Sequence, residues 1–278
     1  MRLIGYLKDG VRHIGSVDGD KVRPLGTTAE FYKDTRAGLR AEAAGETLAL
    51  ADLEQVPAVP ETARVFILGV NYQSHADESK RLADIDLPKV PMVVGRWGST
   101  LVADGTPIPV PPNEAGLDWE CELAVVIGDE VWGADRSTAL EHVFAYTAFN
   151  DVTARRKQLE TQSMTLGKNP DRSAPIGPVL VTTDELPDAT QLRVQTRVNG
   201  VTKQDGNTRD LIHSVPRIIE YITDTVTLLP GDVIATGTPT GVGVGRNPQE
   251  WLTPGDVVEV EVEKIGVLTN PIVSRDQL

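Results

Sequence analysis

The chain has 278 residues, of which 40% are apolar and 24% charged, as expected of a globular protein with one large domain or one domain and a small appendage. Its 40 acidic and 27 basic residues give a net charge of −13, which argues against a nucleic-acid-binding surface. The single cysteine, Cys121, excludes internal disulfides and a thiolate zinc cluster, and the absence of a signal-like N-terminus or a long apolar stretch predicts a cytoplasmic protein.

The first part of the chain is expected to form a small N-terminal domain. Short apolar runs separated by Asp9-Gly10 and by the Asp-Gly-Asp at 18–20 predict small hairpins over the first 25 residues. The segment Leu39–Leu53 is rich in Ala, Glu and Leu and predicts a helix or a helical linker. Prolines at 57 and 60 then mark a boundary, so we predict a small domain over 1–58 and a main domain over 59–278.

The main domain is predicted to consist mostly of strands. Continuous apolar runs predict buried strands, alternating runs predict half-exposed strands, and two stretches have a helical pattern. The buried strands are expected at Arg64–Val70, Leu123–Ile127 and Val179–Thr182, the half-exposed strands at Leu192–Val198 and Val257–Val262, and the helices at Ser137–Ala145 and Leu211–Thr223. With 25 glycines and 19 prolines, this pattern predicts a mainly β protein of the α+β class with a roll or barrel-like core.

The first candidate site residues follow the strand predicted at Arg64–Val70. His75 and Glu78 are three residues apart, so one turn of helix would bring them together. A carboxylate that holds an imidazole raises its basicity and fixes its tautomer, as a general base requires. The alternative is an ordinary pair of surface charges.

Two carboxylates, Glu120 and Glu122, lie at the start of the strand predicted at Leu123–Ile127. Side chains at i and i+2 of a strand share a face, so the two project together while Trp119 and Cys121 point the other way. Such a pair needs a cation or a shared proton, unless the strand end is simply exposed to water.

A third carboxylate, Asp151, follows an apolar stretch and has arginines behind it. Three carboxylates without a histidine or thiolate partner form a hard oxygen site that suits Mg²⁺, Mn²⁺ or Ca²⁺ rather than zinc. With only three protein ligands, positions remain open for water and a chelating substrate. The alternative for Asp151 alone is a turn residue or a helix N-cap.

The glycine-rich segment 234–245 could bring backbone N–H groups close to an anionic ligand. Its spaced glycines suggest a dinucleotide-binding loop, but Arg246-Asn247-Pro248 interrupts the chain where that fingerprint requires a helix. We therefore reject a dinucleotide site. The sequence motifs of P-loop proteins, α/β-hydrolases and zincin metalloproteases are also absent.

Taken in order, seven short motifs resemble the fumarylacetoacetate hydrolase family. They are Gly69–Tyr72 with His75 and Glu78, Trp119–Gly128, Phe149–Asp151, Gly167-Lys168, Pro175–Pro178, Val198–Gly200 and Leu229–Pro239. The resemblance covers roughly residues 64–273, and the ordered set is specific although each motif alone is weak. It implies a mixed β-sandwich roll with a small N-terminal domain, usually paired as a homodimer.

The resemblance also implies roles for individual residues. The ligands of Mg²⁺ or Mn²⁺, which Ca²⁺ could replace in crystals, would be Glu120, Glu122 and Asp151. Lys168 is similar to the cation that neutralises charge on the substrate, and His75 with Glu78 to the water-activating pair on a lid segment. The positions similar to substrate-contacting residues are Arg155, Gln158 and Thr238, the last in the loop that caps the substrate carboxylate.

These roles predict an enzyme that acts on a short 2-oxo or 2,4-dioxo acid through a metal-stabilised enolate, with C–C bond hydrolysis of an acylpyruvate-type substrate favoured. The alternatives are a 2-hydroxyhepta-2,4-diene-1,7-dioate isomerase or an oxaloacetate decarboxylase of the same family, and a non-catalytic relative that binds a 2-oxo acid. The chain departs from the family pattern at Val94–Trp97 and after Lys168, which leaves the substrate open. Arg96 could bind a second carboxylate of the substrate or be a solvated surface charge.

Overall fold

Strands dominate the residues that the computed structural model describes, which are 1–40, 46–83 and 89–278 without the side chains of 79 and 81–83. The strands are Arg2–Lys8 (β1), Val11–Asp18 (β2), Lys21–Thr27 (β3), Leu48–Ala49 (β4), Gln55–Val56 (β5), Val65–Gly69 (β6), Met92–Arg96 (β7), Leu101–Val102 (β8), Ile108–Val110 (β9), Leu117–Asp118 (β10), Cys121–Ile127 (β11), Val143–Asn150 (β12), Thr153–Ala154 (β13), Ala174–Thr182 (β14), Arg193–Val198 (β15), Val201–Asn207 (β16), Val233–Ala235 (β17), Val257–Val262 (β18) and Gly266–Ser274 (β19). The α-helices are Thr28–Phe31 (α1), Thr35–Arg40 (α2), Gln73–Ala83 (α3), Arg155–Leu159 (α4), Thr165–Lys168 (α5) and Val215–Thr223 (α6). No helix in this part of the chain is long and apolar enough to cross a membrane.

The N-terminal segment forms the hairpins that its turn residues predict. Strands β1, β2 and β3 pair in antiparallel order through tight turns. At the first turn, Asp9 has φ +52° and Gly10 has φ +75°, the left-handed values that a two-residue hairpin turn requires. Strand β1 also pairs with β14, Leu3 opposite Leu180, so these strands extend the main sheet. The domain boundary near residue 58 stays a prediction.

The helix predicted over Leu39–Leu53 is wrong where strand β4 forms. Helix α2 ends at Arg40, and the part of the prediction that falls on 41–45 lies outside the described residues. Strand β4 then pairs with β3, and a short 3₁₀ turn follows at Leu50–Asp52. Pairing with β3 outweighs the helical propensity of Ala and Leu because it satisfies backbone groups at the edge of the sheet.

The main sheet runs in the order β4-β3-β2-β1-β14-β12-β11-β17-β6-β7. Its strands β11 and β12 are buried at every residue, as expected of a sheet that is covered on both faces. Strands β6, β11 and β14 confirm the three buried strands that the continuous apolar runs predict.

A second sheet, β16-β15-β18-β19-β9, packs against the first. Every second residue of β15 and β18 is buried, which confirms the half-exposed strands predicted from their alternation. Val194, Val260 and Leu268 from this sheet share one core with Leu123 and Val125 from β11. The structure therefore has the mixed β-sandwich roll that the family resemblance implies.

The two helices predicted in the main domain differ from the structure. The helix predicted at Ser137–Ala145 is wrong, because a 3₁₀ turn at Ala139–His142 leads directly into β12, which pairs with β11. The β-branched and aromatic residues after His142 pack well in a buried strand. The helix predicted at Leu211–Thr223 begins only at Val215, because Leu211 forms a backbone bridge with Tyr72 and a proline lies in the first helical turn.

Removing a side chain from the core between the two sheets should destabilise the fold. We expect Leu268→Ala, at a residue that is 1% exposed, to lower the free energy of unfolding by about 2–5 kcal/mol, because contacts are lost and a cavity remains. Leu140→Ala, at a leucine that is 46% exposed, should change it by about 0.5 kcal/mol at most. Urea unfolding followed by circular dichroism measures both variants, and equal losses would contradict this packing.

Candidate active site

Three buried carboxylates, those of Glu120, Glu122 and Asp151, form an acid cluster in which each offers an oxygen within 4.8 Å of the others. The pairing of β11 with β12 brings them together, because Cys121 lies opposite Asn150 and the Asp151 N–H donates to the Glu120 carbonyl oxygen at 3.0 Å. Cys121 is buried in the core on the opposite face. The structure thus assembles the three carboxylates that the sequence singles out.

Two buried cations contact the acid cluster from helices α5 and α4. The Lys168 Nζ donates to Glu120 Oε2 at 2.8 Å and to Asp151 Oδ2 at 2.5 Å. Arg155 Nη2 lies 2.6 Å from Glu120 Oε1, and Arg155 Nε donates to Asp118 Oδ2 at 2.8 Å. Lys168 therefore lies where it can neutralise charge at the cluster, while Arg155 is held by carboxylates of the protein itself.

Arg96 is a third cation at the acid cluster, and both interpretations of it from the sequence are wrong. Arg96 is 3% exposed and bonds to Asp151 and Ser173, so it is neither a solvated surface charge nor free to bind a substrate carboxylate. The cause lies in β7, where Met92, Val94 and Arg96 alternate onto one face of the strand. On that face Met92 and Val94 line the cavity, and Arg96 contacts Asp151.

With every group ionised, the acid cluster, Asp118 and the cations that contact them carry a net charge of −1. Among the described residues that meet there, four carboxylates face three cations: Asp118, Glu120, Glu122 and Asp151 against Arg96, Arg155 and Lys168. Burial, together with Asp151 and Glu120, raises the pKa of Glu122 well above its usual range. Burial has the same effect on Glu120, but Lys168 and Arg155 outweigh it and lower the pKa of that carboxyl. A proton on Glu122 or a bound cation would relieve this excess of negative charge, and the three carboxylates could hold a metal ion.

The imidazole–carboxylate pair lies on helix α3, where His75 Nδ1 is 2.9 Å from Glu78 Oε2 across one helical turn. Glu78 is 4% exposed, so this is not an ordinary surface pair. Its other oxygen accepts from Thr240 Oγ1 at 2.9 Å and from the Gly241 N–H at 3.2 Å. Burial opposes ionisation, but these contacts and His75 together lower the pKa of Glu78. Glu78 therefore stays ionised at neutral pH and fixes the orientation of the His75 ring.

The glycine-rich loop connects helix α3 with Asp118, which lies beside the acid cluster and bonds to Arg155. Its N–H groups at Gly243 and Val244 donate to Asp118 at 2.6 and 3.0 Å, in addition to the contacts with Glu78. Gly245 permits a close approach, since a Cβ there would lie 2.2 Å from Glu78 Oε1. Residues 243–245 form a 3₁₀ turn, and no α-helix follows up to residue 278, in agreement with the rejected dinucleotide site. The sequence analysis did not identify Asp118 as a site residue. The one signal for it in the sequence is an acidic residue directly before a tryptophan.

A cavity of about 280 Å³ opens beside the acid cluster. Seven of the candidate site residues line it: His75, Glu120, Asp151, Arg155, Gln158, Lys168 and Thr238. Arg155 Nη1 donates to Gln158 Oε1 at 2.8 Å, and Gln204 Nε2 donates to Thr238 Oγ1 at 2.8 Å. The cavity thus joins the imidazole, the ammonium and the acid cluster, and the substrate-contacting roles of Arg155, Gln158 and Thr238 stay predictions.

Known proteins similar to this chain include a tautomerase, a hydrolase and an isomerase. A family model described as fumarylacetoacetate (FAA) hydrolase C-terminal matches residues 64–273. The oxaloacetate tautomerase YisK of Bacillus subtilis is 38% identical over 225 residues, which are 80% of this chain and 74% of that protein. The structure of fumarylacetoacetate hydrolase from psychrophilic Exiguobacterium antarcticum superposes with a TM-score of 0.82 at 33% identity, over 99% of this chain and 100% of the other. The 2-hydroxyhepta-2,4-diene-1,7-dioate isomerase of Mycobacterium marinum gives a TM-score of 0.80 at 30% identity, over 99% of both chains.

Removal of one carboxylate charge should abolish tight metal binding by the acid cluster. We expect Glu122→Gln to weaken Mn²⁺ binding about 100-fold or more, because the amide keeps the shape of the ligand but loses its charge. Glu220→Gln, at a carboxylate that bonds to Arg136 away from the cluster, should leave the affinity within about twofold. Electron paramagnetic resonance of free Mn²⁺ measures both, and full affinity in Glu122→Gln would contradict the assignment of this ligand.

Proposed function

The chain belongs to the fumarylacetoacetate hydrolase family, and we propose that it is a divalent-metal-dependent enzyme that forms the enolate of a short 2-oxo acid and hydrolyses the C–C bond of an acylpyruvate. One observation carries the proposal: a single cavity is lined by His75, by Lys168 and by carboxylates of the acid cluster. Hydrolysis of a 2,4-dioxo acid requires a general base, a fixed positive charge and a Lewis acid within reach of one substrate.

The composition of the acid cluster supports the metal dependence. Glu120, Glu122 and Asp151 would hold Mg²⁺ or Mn²⁺, because their donor atoms are hard oxygens and three carboxylates buried together favour a bound cation. A divalent ion held there supplies Lewis acidity toward the carboxylate and 2-oxo oxygens of the substrate. Lys168 contacts the same carboxylates, so its ammonium adds a fixed positive charge beside the site of enolate formation.

His75 is the residue that we assign as the general base. Because its Nδ1–H donates to Glu78, the lone pair of Nε2 is left to accept a proton from water. The hydroxide adds to the C4 carbonyl of the acylpyruvate while Glu78 stabilises the imidazolium. The C3–C4 bond then breaks, and its electron pair passes into the enolate of pyruvate. The proton held by His75 is delivered to C3, and the products are pyruvate and a carboxylic acid.

Keto–enol tautomerisation of oxaloacetate is the second candidate reaction, and a separate observation favours it. The relative from Bacillus subtilis that is 38% identical is named an oxaloacetate tautomerase. Tautomerisation moves a proton between C3 and the 2-oxo oxygen and needs no attacking water, so a base and a fixed cation suffice. Isomerisation of a 2-hydroxydienoate, named for the Mycobacterium marinum neighbour, is a proton transfer of the same kind.

The two reactions are distinguished by giving EDTA-stripped protein acetylpyruvate, fumarylpyruvate and oxaloacetate, each with and without Mg²⁺. We expect pyruvate to be released from the dioxo acids only when Mg²⁺ is present. Accelerated enol–keto exchange of oxaloacetate without cleavage of the dioxo acids would instead identify a tautomerase. Pyruvate from oxaloacetate alone would identify a decarboxylase, and no reaction with any of the three would contradict hydrolysis and tautomerisation alike.

Replacement of the proposed base should separate catalysis from metal binding. We expect His75→Gln to lower kcat for acetylpyruvate about 100- to 10,000-fold while Mn²⁺ affinity stays within about twofold. The matched control is His142→Gln, because His142 also bonds to a carboxylate, Asp129, but does not line the cavity. Steady-state kinetics and Mn²⁺ titration measure both variants, and undiminished hydrolysis by His75→Gln would place the base elsewhere.

A further inference from the structure

The cavity beside the acid cluster is lined by polar and by apolar side chains. Six of the apolar ones are called the apolar wall: Ile67, Met92, Val94, Leu159, Met164 and Val244. Strands β6 and β7 supply three of them, because their antiparallel register sets Ile67 opposite Val94 and Gly69 opposite Met92. The three-carbon head of a 2-oxo acid at the acid cluster would leave this wall uncovered.

Among the residues whose side chains are described, one lysine and one arginine line the cavity, and both form ion pairs with carboxylates of the protein. Lys168 bonds to Glu120 and Asp151. Arg155 Nε donates to Asp118 and Nη1 to the Gln158 amide oxygen, while Nη2 lies 2.6 Å from Glu120 Oε1 without a hydrogen-bond partner among the described residues. A carboxylate at the far end of a substrate would lose its hydration at the apolar wall, because none of the six side chains of that wall carries a charge.

We propose that the apolar wall binds an uncharged tail of the substrate, so that this enzyme selects 2-oxo acids whose far end is alkyl or aryl rather than carboxylate. The inference rests on the proposed function, since it places the 2-oxo acid head at the acid cluster. Each methylene group that the wall removes from water should improve affinity roughly fourfold. Oxaloacetate and 2-hydroxyhepta-2,4-diene-1,7-dioate, after which two similar proteins are named, both carry a second carboxylate, so we expect this chain to bind them less tightly than acids with an uncharged tail.

Binding of three acids to the Mg²⁺-loaded protein tests the proposal by isothermal titration calorimetry. Pyruvate carries the head alone, 2-oxohexanoate adds an apolar tail, and 2-oxoadipate has the same chain length with a terminal carboxylate. We expect 2-oxohexanoate to bind at least about tenfold more tightly than either of the other two. If pyruvate binds but 2-oxoadipate equals or exceeds 2-oxohexanoate, the apolar-tail inference is wrong and the proposed function survives. If none of the three binds, both are overturned.

A charge placed on the apolar wall should change this preference. Leu159 lines the cavity and is 70% exposed, so Leu159→Lys can be accommodated without disturbing the core. We expect it to shift the ratio of the dissociation constants of 2-oxohexanoate and 2-oxoadipate by at least about tenfold in favour of the diacid. Leu166→Lys is the matched control, at a leucine that is 62% exposed and does not line the cavity, and it should leave the ratio within about twofold. An unchanged ratio in Leu159→Lys would contradict the placement of the tail at this wall.

Discussion

Burying several carboxylates within a few ångströms of one another is unfavourable unless positive charge is buried with them. In this protein that charge comes from three separate elements, since β7 carries Arg96, α4 carries Arg155 and α5 carries Lys168. The carboxylates at the ends of β11 and β12 can therefore be buried only because β7, α4 and α5 supply positive charge beside them. The negative charge that these cations leave in excess, together with the three hard oxygen donors, makes the acid cluster suitable for a bound cation.

The proposed reacting groups differ in how the structure holds them. The acid cluster is fixed by the backbone pairing of two fully buried strands, which leaves its carboxylates little freedom. His75 lies on helix α3 and depends on Glu78, which is itself held by the glycine-rich loop. Asp118 binds the N–H groups of that loop and also Arg155, so a single loop sets the distance between His75 and the acid cluster.

Contacts between residues close in the sequence were predicted correctly, because the geometry of a single strand or helix determines them. The i, i+2 spacing of Glu120 and Glu122 and the i, i+3 spacing of His75 and Glu78 follow from the geometry of strand and helix. The burial of Arg96 was not predicted, because its inward orientation depends on a contact with Asp151, 55 positions away in the sequence. The residue pattern of a single strand does not reveal such a contact. The helix predicted at Ser137–Ala145 failed for a related reason, since pairing with β11 decided the conformation of Val143–Ala145. The role of Lys168 was available only from the family resemblance, because a lysine after a glycine has no local signature of its own.

Strand β7 lies at the edge of the main sheet and contributes to both parts of the cavity. Met92 and Val94 belong to the apolar wall, whereas Arg96, two residues further on, belongs to the charged surroundings of Asp151. Under the proposed function, mutations at the first two positions would alter which substrate fits while the charged groups around Asp151 are preserved. The proposed specificity and the proposed chemistry are thus carried by different residues of the same edge strand, so that one can change without loss of the other.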